Sequence, residues 1–474
     1  MSKAVKETQI VKNISLSLFA QIVSLLVSFV LGIIVPKFID EYQYAYWHTY
    51  LLFAGYVGIL HFGLLDGLVL RYAQYDYEEL DKRKIRSQFA VLLAVNSVAF
   101  CILILAGIIH GGFTKTIAVL VACGIFTKNI FTYNSYLFQI TNRLKQYAFI
   151  VIAQRLAYGI LVVLCLCFGL QHFIWYCLAD LAGDCMGIVF GLAFNKDLHF
   201  GEVLPVKEIF QEARLSISAG LLLLAANLSS MLMIGAAKIV IEWKWGPLFF
   251  GKTSFAFGVS NLELTFVTAV SIVLFPSLKR MDSELLPSFY KKIRDIIMPL
   301  LFWGLLLYFP ECWILEKWLP KYSDGLIYLG ILSPIIVYLS VVSLLTNNYL
   351  KAYRQERLMC SINFVSVLFA CCLYGISAYF LDNFLLMLMS VVAAILLRSI
   401  VSELMVTKLI HIKMQSEFVL EFVMTCVFII SVQCFNRENG FLVYFAFLII
   451  YSYINLNSIK LLLERLKTLA VNHL

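Results

Sequence analysis

Charged residues are scarce in this chain of 474 residues. Aspartate, glutamate, lysine and arginine together make up 14% of it, whereas apolar residues make up 61%. Soluble globular domains are about one quarter charged and about one half apolar. The mean hydropathy of +0.87 is correspondingly high. These values exclude a water-soluble globule and place the chain in a lipid bilayer.

The sequence also lacks the residue patterns of metal centres and hydrolytic active sites. Its twelve cysteines and seven histidines show no paired CxxC spacing and no Ser/His/Asp or Cys/His constellation. The segment GPLFFGKT, from Gly246 to Thr253, matches the phosphate-loop pattern, but it joins two apolar runs instead of following a strand. We therefore expect no cofactor, no metal, no nucleotide hydrolysis and no enzymatic activity.

Long apolar runs dominate what is present. Uncharged runs such as 14–36 and 359–380 have the length of roughly 20 residues that a spanning helix needs, without the alternation of barrel strands. An all-α polytopic membrane protein is therefore predicted, because backbone polar groups in a bilayer must be satisfied internally. We predict about fourteen spans, near residues 13–35, 46–67, 89–109, 116–139, 147–168, 173–194, 214–240, 254–276, 294–312, 326–347, 359–380, 384–405, 418–434 and 441–457.

The predicted loops differ in charge between the two sides of the membrane. About 26 basic residues fall on one side and about 7 on the other, which by the positive-inside rule places both termini in the cytoplasm. The net charge of +8 follows from this topology; it could attract anionic membrane lipids but does not indicate nucleic acid. The outer loops are mostly a few residues long, too short for an extracytoplasmic catalytic domain.

An internal repeat divides the chain. PKFIDE at 36–41 is matched by AKIVIE at 237–242, and DYEEL with RKIR is matched by DSEL with KKIR in nearly the same register. Both copies run in the same direction, which predicts two six-helix bundles related by an axis along the membrane normal. The predicted domains are an N-terminal lobe at 1–212, a second lobe at 213–412, and a further helix pair with a cytoplasmic tail at 413–474.

Cations within predicted spans are the first candidate functional residues, because a charge at membrane depth is costly unless it is paired or hydrated. Lys128 lies near mid-depth, and Arg155 and Arg398 lie about two turns from the cytoplasmic ends of their spans. A cavity-lining cation and a structural ion pair remain equally good interpretations of these three residues.

Carboxylates at membrane depth are the second set. Asp180 and Asp184 are four residues apart and share one helical face, beside glycines that predict close helix packing. Because neighbouring carboxylates repel in low dielectric, we expect a proton, a cation or a salt bridge to Lys128 or Arg155, and we favour the bridge. Glu263 also lies within a span. Asp66 and Glu403 lie closer to the cytoplasmic surface.

The segment YVGILHFGLLDGLVLRYAQYDYEEL at 56–80 looks like the second span of the bacterial Wzx-type oligosaccharide flippases, which belong to the multidrug/oligosaccharidyl-lipid/polysaccharide exporter superfamily. NSYLFQITNRLKQYAFI at 134–150, ANLSSMLMIG at 226–235 and FGKTSFAFGVSNLELTFVTAVSIVLFPSLKR at 250–280 are also similar. The resemblance covers about three quarters of the chain and is weaker in the last two spans.

The resemblance implies a two-lobed transporter of the bacterial inner membrane that moves undecaprenyl-diphosphate-linked oligosaccharide to the outer leaflet by alternating access. Its product would pass to the polysaccharide polymerase machinery, and the last two spans would offer a groove for the lipid tail. The diphosphate favours binding by four cations, Arg71, Lys128, Arg155 and Arg398. An ion-coupled drug or small-molecule antiporter of the same superfamily remains the alternative, with Asp180, Asp184 or Glu263 as coupling carboxylates. A polysaccharide polymerase or ligase is less compatible with the short outer loops.

Overall fold

The computed structural model describes residues 19–73, 75–279, 284–412 and 416–454. Within these ranges the chain forms α-helices with short 3₁₀ and π turns, and no strand occurs. The main helices, here α1 to α14, are Phe19–Phe38, Glu41–His61 with Leu64–Tyr72, Lys82–His110, Gly112–Ile140, Leu144–Cys167, Phe173–Phe194, Val206–Trp245, Pro247–Lys279, Leu286–Trp318, Ser323–Leu332 with Pro334–Ala352, Glu356–Phe380, Phe384–Leu409, Ser416–Cys434 and Arg437–Ile454.

These helices confirm an all-α polytopic membrane protein. Among the described residues, eleven helices are long and apolar enough to cross a membrane, and the bent α2 makes twelve. The other two long helices, α8 and α14, lie where the sequence predicts the eighth and fourteenth spans. A helix therefore stands at each of the fourteen predicted positions.

Helix α2 differs from the continuous span predicted at 46–67. Its first segment, Glu41–His61, and its second segment, Leu64–Tyr72, are bent by 57°. Phe62 and Gly63 lie in the left-handed region, with φ of 50° and 82°, so the helical hydrogen-bond ladder stops there. The amide of Gly63 instead donates to Nδ1 of His61 at 3.2 Å. The span is thus two helices joined by a fixed corner.

The chain divides into two compact units, Met1–Leu228 and Ser229–Leu474, with the division inside α7. In the first unit, α5 packs on α6, α3 packs on α4, and α4 packs on α6. A Cβ atom added to Gly187 of α6 would lie 2.5 Å from the ring of Phe131 on α4, so a glycine permits this close approach. The predicted domain boundaries at 212/213 and 412/413 stay predictions.

Ion pairs connect the loops at the predicted cytoplasmic end of the first unit. Lys82 Nζ lies 2.5 Å from Asp197 Oδ2, and the hydroxyl of Tyr77 donates to the same carboxylate. Burial on its own raises the pKa of Asp197, but the hydrogen bonds from Lys82 and Tyr77 and the charge of Lys82 outweigh it. The pKa therefore lies below its ordinary value of 3.8.

In the second unit, α8 packs on α10 and α11 packs on α12, while the last two helices pack on each other and on α9 and α10. The hydroxyl of Tyr444 on α14 donates to the carbonyl of Phe302 on α9 at 2.8 Å. Arg294 of α9 also reaches α13, since its Nη2 lies 2.7 Å from Glu421 Oε1. The C-terminal helix pair is therefore built into the second unit.

Candidate substrate cavities

The first unit contains a cavity of about 380 Å³. Helices α1, α2, α4, α5 and α6 all contribute to its wall, which combines apolar groups with a few polar and charged ones. The lining residues are Leu31, Leu51, Ala54, Gly55, Val57, Gly58, Lys128, Asn129, Thr132, Arg155, Tyr158 and Asp180. Apolar walls with a few polar groups are typical of ligand sites.

Lys128 of α4 forms an ion pair with both carboxylates of α6. Its Nζ lies 2.7 Å from Asp180 Oδ2 and 3.1 Å from Asp184 Oδ2. Tyr50 donates its hydroxyl proton to Asp180 at 2.9 Å, and Gln154 donates an amide proton to Asp184 at 3.0 Å. The four-residue spacing in α6 lets one ammonium reach both acids. The charge of Lys128 is thus balanced by the carboxylates of Asp180 and Asp184.

Arg155 of α5 lines the same cavity, and it forms no salt bridge within the described ranges. Together, Lys128 and Arg155 carry two positive charges against the two carboxylates Asp180 and Asp184. The cavity of the first unit is therefore close to neutral overall. Its polar groups suit hydrogen bonding to an uncharged polar ligand better than they suit holding a multiply charged anion.

The second unit contains a cavity of about 340 Å³. Polar side chains from α7, α8, α10 and α12 face it, and among the described residues no carboxylate belongs to its lining residues. These are Ser230, Asn261, Leu264, Thr265, Leu339, Val342, Ser343, Asn347 and Arg398. Hydroxyl and amide groups of this kind can donate hydrogen bonds to an anion.

Arg398 gives this second cavity its charge. The residue is 2% exposed, and its Nη2 donates to Ser230 Oγ at 3.1 Å. Its Nη1 lies 3.5 Å from the sulfur of Met233, and its Nε has no hydrogen-bond partner within the described ranges. None of the residues that the structure describes supplies a carboxylate to this guanidinium. A buried cation without an anion is unfavourable, which makes this position a candidate anion site.

The structure places Arg71 and Asp66 away from both cavities. Arg71 Nη1 lies 2.7 Å from Glu212 Oε1 on α7, so its charge is balanced. Asp66 is 4% exposed and lies 4.0 Å from Nε2 of His61, beside the bend in α2. Of the four predicted substrate-binding cations, Arg155 and Arg398 are the two in a cavity without a carboxylate partner among the described residues.

Glu263 also lies outside the two cavity linings. It is half-buried on α8, and its carboxyl group lies beside that of Glu311 on α9. Asn261 and Thr265, two residues before and after Glu263, face the cavity of the second unit.

Several charged partners escape the sequence analysis. Glu212 lies just before the predicted seventh span and Arg294 at the edge of the predicted ninth, so both count there as loop charges. Arg294 instead forms a buried triad with Glu403 and Glu421, and its Nε lies 2.5 Å from Glu403 Oε2. The available signal for Glu421 was its place inside the predicted span 418–434.

No family model matches the sequence, and no curated protein matches it. Solved structures do. An inward-facing multidrug resistance MATE family transporter of the MOP superfamily has a TM-score of 0.63 at 13% identity, covering 82% of this chain and 98% of that one. The lipid II flippase MurJ, in an inward closed conformation, has a TM-score of 0.61 at 14% identity, covering 94% and 99%.

A MOP superfamily transporter from Pyrococcus furiosus has a TM-score of 0.57 at 13% identity, covering 85% of this chain and 95% of that one. At such low identity the likeness concerns the fold alone. The chain is therefore a multi-pass membrane protein with the fold of MOP superfamily transporters. The three solved structures named here are those of two transporters and a flippase.

Proposed function

We propose that this protein is a flippase that carries an undecaprenyl-diphosphate-linked oligosaccharide from the inner to the outer leaflet of the bacterial inner membrane. It acts by alternating access in surface polysaccharide assembly, with both termini in the cytoplasm. Anionic lipids surround its basic inner face, and the polysaccharide polymerase machinery receives the product. No covalent bond is made or broken.

The observation that carries this proposal is the Arg398 guanidinium, buried without a carboxylate partner in the described parts of the chain. A diphosphate offers several acceptor oxygens and at least one negative charge, which is the complement of an arginine surrounded by hydroxyl and amide donors. Ser230, Asn261 and Asn347 supply such donors around it. Arg398 therefore binds the diphosphate of the lipid-linked sugar.

The cavity of the first unit complements this site chemically. Its charges nearly cancel, and Asn129, Thr132 and Tyr158 present polar groups among apolar ones. Sugar hydroxyls both donate and accept hydrogen bonds and carry apolar faces, so a near-neutral cavity of mixed character suits them. Arg155 is the cation of this cavity that remains available to an anionic sugar or phosphate.

The test of this proposal follows lipid-linked sugar in a strain that lacks the gene. Deletion should cause undecaprenyl-diphosphate-linked oligosaccharide to accumulate on the inner leaflet while surface polysaccharide is lost. Complementation with Arg398→Met should fail to restore export at normal membrane abundance. Arg357→Met, which removes an exposed arginine of the same unit, is the matched control and should restore it. Full export by Arg398→Met would overturn the role of this arginine.

A second candidate function is ion-coupled export of a drug or other small molecule, because the fold is also that of MATE transporters. The specific observation in its favour is the set of carboxylates at membrane depth, Asp180 and Asp184 at Lys128 and Glu263 with Glu311. On this hypothesis deletion leaves lipid-linked sugar unchanged and lowers drug tolerance. Proton- or sodium-dependent efflux, lost in Asp184→Asn, would then replace the flippase proposal.

A further inference from the structure

The second segment of α2 and the first part of α7 meet along two rows of residues with the same spacing. Gly63, Gly67 and Arg71 are four residues apart on α2 and therefore share one helical face. On α7 the matching residues are Glu212, Ser216 and Gly220, also four apart. The rows pair in antiparallel order: Gly63 with Gly220, Gly67 with Ser216, and Arg71 with Glu212. We call this the α2–α7 contact.

Two of its three pairs are backbone contacts that only glycine permits. A Cβ atom added to Gly67 would lie 1.8 Å from the carbonyl oxygen of Ser216. One added to Gly220 would lie 2.0 Å from the carbonyl oxygen of Gly63. Real Cβ atoms do not approach so closely, so any side chain at these positions must push the two helices apart.

The third pair is polar and buried. Glu212 is 7% exposed, and its Oε1 receives both Arg71 Nη1 at 2.7 Å and the Tyr72 hydroxyl at 2.5 Å. Arg71 also donates to Ser216 Oγ at 2.7 Å, and that hydroxyl donates to Gln88 on α3 at 3.0 Å. The charge-assisted hydrogen bonds of this network fix the position of Arg71 on α2 relative to Glu212 on α7.

The position of the contact relates it to the cavity of the first unit. The first segment of α2 contributes Val57 and Gly58 to that cavity, and the second segment begins six residues after Gly58. Beyond the cavity, Leu64 and Leu68 pack with Leu137 near the end of α4, in a buried apolar cluster. The contact therefore lies between the cavity and the predicted cytoplasmic end of α4.

Helix α7 belongs to the second half of the chain by its sequence repeat, but its first part packs in the first unit. The internal repeat makes it the first span of the second half, because AKIVIE at 237–242 matches PKFIDE at 36–41. Its first part nevertheless packs within the first unit, which extends to Leu228. The three pairs of this contact join the two sequence repeats through backbone and polar groups, and beside them Ala213 and Ile217 of α7 pack on the same apolar cluster as Leu64 and Leu68. Small shifts of packed helices at such junctions are one way in which proteins switch between two states.

We propose that the α2–α7 contact is the closed state of a gate at the predicted cytoplasmic end, and that its separation opens the cavity of the first unit to that side. The GLLDG sequence of α2, residues 63–67, supplies the glycines of the gate and the corner that orients it. Arg71 is thus a gate residue held by Glu212. This proposal concerns access to the cavity and is independent of which substrate is carried.

The experiment measures thiol accessibility at Thr132→Cys, a position in the cavity wall. A charged, membrane-impermeant maleimide is applied to inside-out membrane vesicles that contain the full-length protein. Labelling at residue 132 is followed by mass spectrometry, so the native cysteines need not be replaced. Right-side-out vesicles establish which side the reagent reaches.

Adding Glu212→Gln should accelerate labelling at residue 132 by about tenfold or more, as expected when a charge-assisted hydrogen bond no longer favours the closed form. Adding Gly67→Ala should also accelerate it, because the new Cβ atom cannot fit against the carbonyl oxygen of Ser216. Gly258→Ala is the matched control, because a Cβ atom there meets nothing within 4 Å. It should leave the rate unchanged.

A charge exchange keeps the proposal falsifiable if Gly67→Ala does not fold. Residue 132 should be labelled rapidly in the Arg71→Glu variant. In the variant that combines Arg71→Glu with Glu212→Arg, labelling should return to the slow rate of the parent protein. Equal labelling rates in the parent, Glu212→Gln and Arg71→Glu proteins would overturn the gate. A double variant that labels as fast as its single parents would do the same. Neither result bears on the cargo, which the export assay tests separately.

Discussion

Replacing Lys128 by methionine should destabilise the protein much more than replacing Arg398 by methionine. Lys128→Met leaves Asp180 and Asp184 without their cation, although their side chains are only 6% and 3% exposed. Removing one partner of a buried ion pair destabilises by about 3–5 kcal/mol. Because the Lys128 side chain is 24% exposed, we expect the lower end, about 3 kcal/mol.

Arg398→Met leaves no charged group behind among the described residues, since the guanidinium donates to a serine hydroxyl and contacts a methionine sulfur. The expected change is at most about 1 kcal/mol, the value of one ordinary hydrogen bond. For a unit of this size, 1 kcal/mol corresponds to about 2–4 °C in melting temperature. Lys128→Met should therefore melt at least about 4 °C lower than Arg398→Met.

The assay heats detergent-extracted protein and measures the folded fraction by fluorescence-detected gel filtration, alongside membrane abundance and export in cells. Both variants should lose export, but only Lys128→Met should also lose abundance. Adding Asp180→Asn and Asp184→Asn to Lys128→Met should restore most of the melting temperature, because the unpaired carboxylates are then gone. Equal melting of the two methionine variants would refute the charge assignment.

Two further predictions concern ion pairs away from the cavities. Arg294→Met should destabilise the second unit by about 3–5 kcal/mol, because it leaves Glu403 and Glu421 buried together without a cation; Glu421→Gln keeps a neutral pair and should cost far less in the same melting assay. Asp197→Asn should lower the melting temperature at pH 7 by removing the pair with Lys82. The pKa of Asp197 lies below its ordinary value of 3.8, so the stabilisation is complete above that value and lost as pH falls through the folded pKa. The two melting temperatures should therefore begin to approach each other only below about pH 4, and they should become equal once the pH is below the folded pKa.

Composition and apolar run length were sufficient to predict the helical membrane fold and the positions of fourteen helices. The bend in α2 could not be predicted in the same way, because HFG within an apolar run gives no periodic signal. The left-handed conformation of Phe62 is held by the contacts of its neighbours, since His61 is buried and Gly63 lies against the backbone of Gly220. These tertiary contacts cannot be predicted from the residues next to Phe62 in the sequence.

The candidate site was predictable to the level of residue type and helical face. The spacing of Asp180 and Asp184 indicated a shared partner, but the choice between Lys128 and Arg155 depends on how α4, α5 and α6 pack. The pairing of Glu212 with Arg71 could not be predicted from the sequence. The two residues are 141 positions apart in the chain, and the predicted seventh span begins two residues after Glu212. Partners so distant in sequence become neighbours only through the tertiary fold.

The charge count in the triad bears on how such a chain could lengthen during evolution. Arg294 and Glu403 both belong to helices of the second predicted repeat, and they balance each other. The second carboxylate of the triad, Glu421, belongs to α13. An ancestor ending after α12 would keep a neutral pair at this position, so two helices could be gained without rebuilding the pair. With α13 and α14 present, Glu421 forms an ion pair with Arg294. Substitutions at these two positions should therefore covary among related sequences.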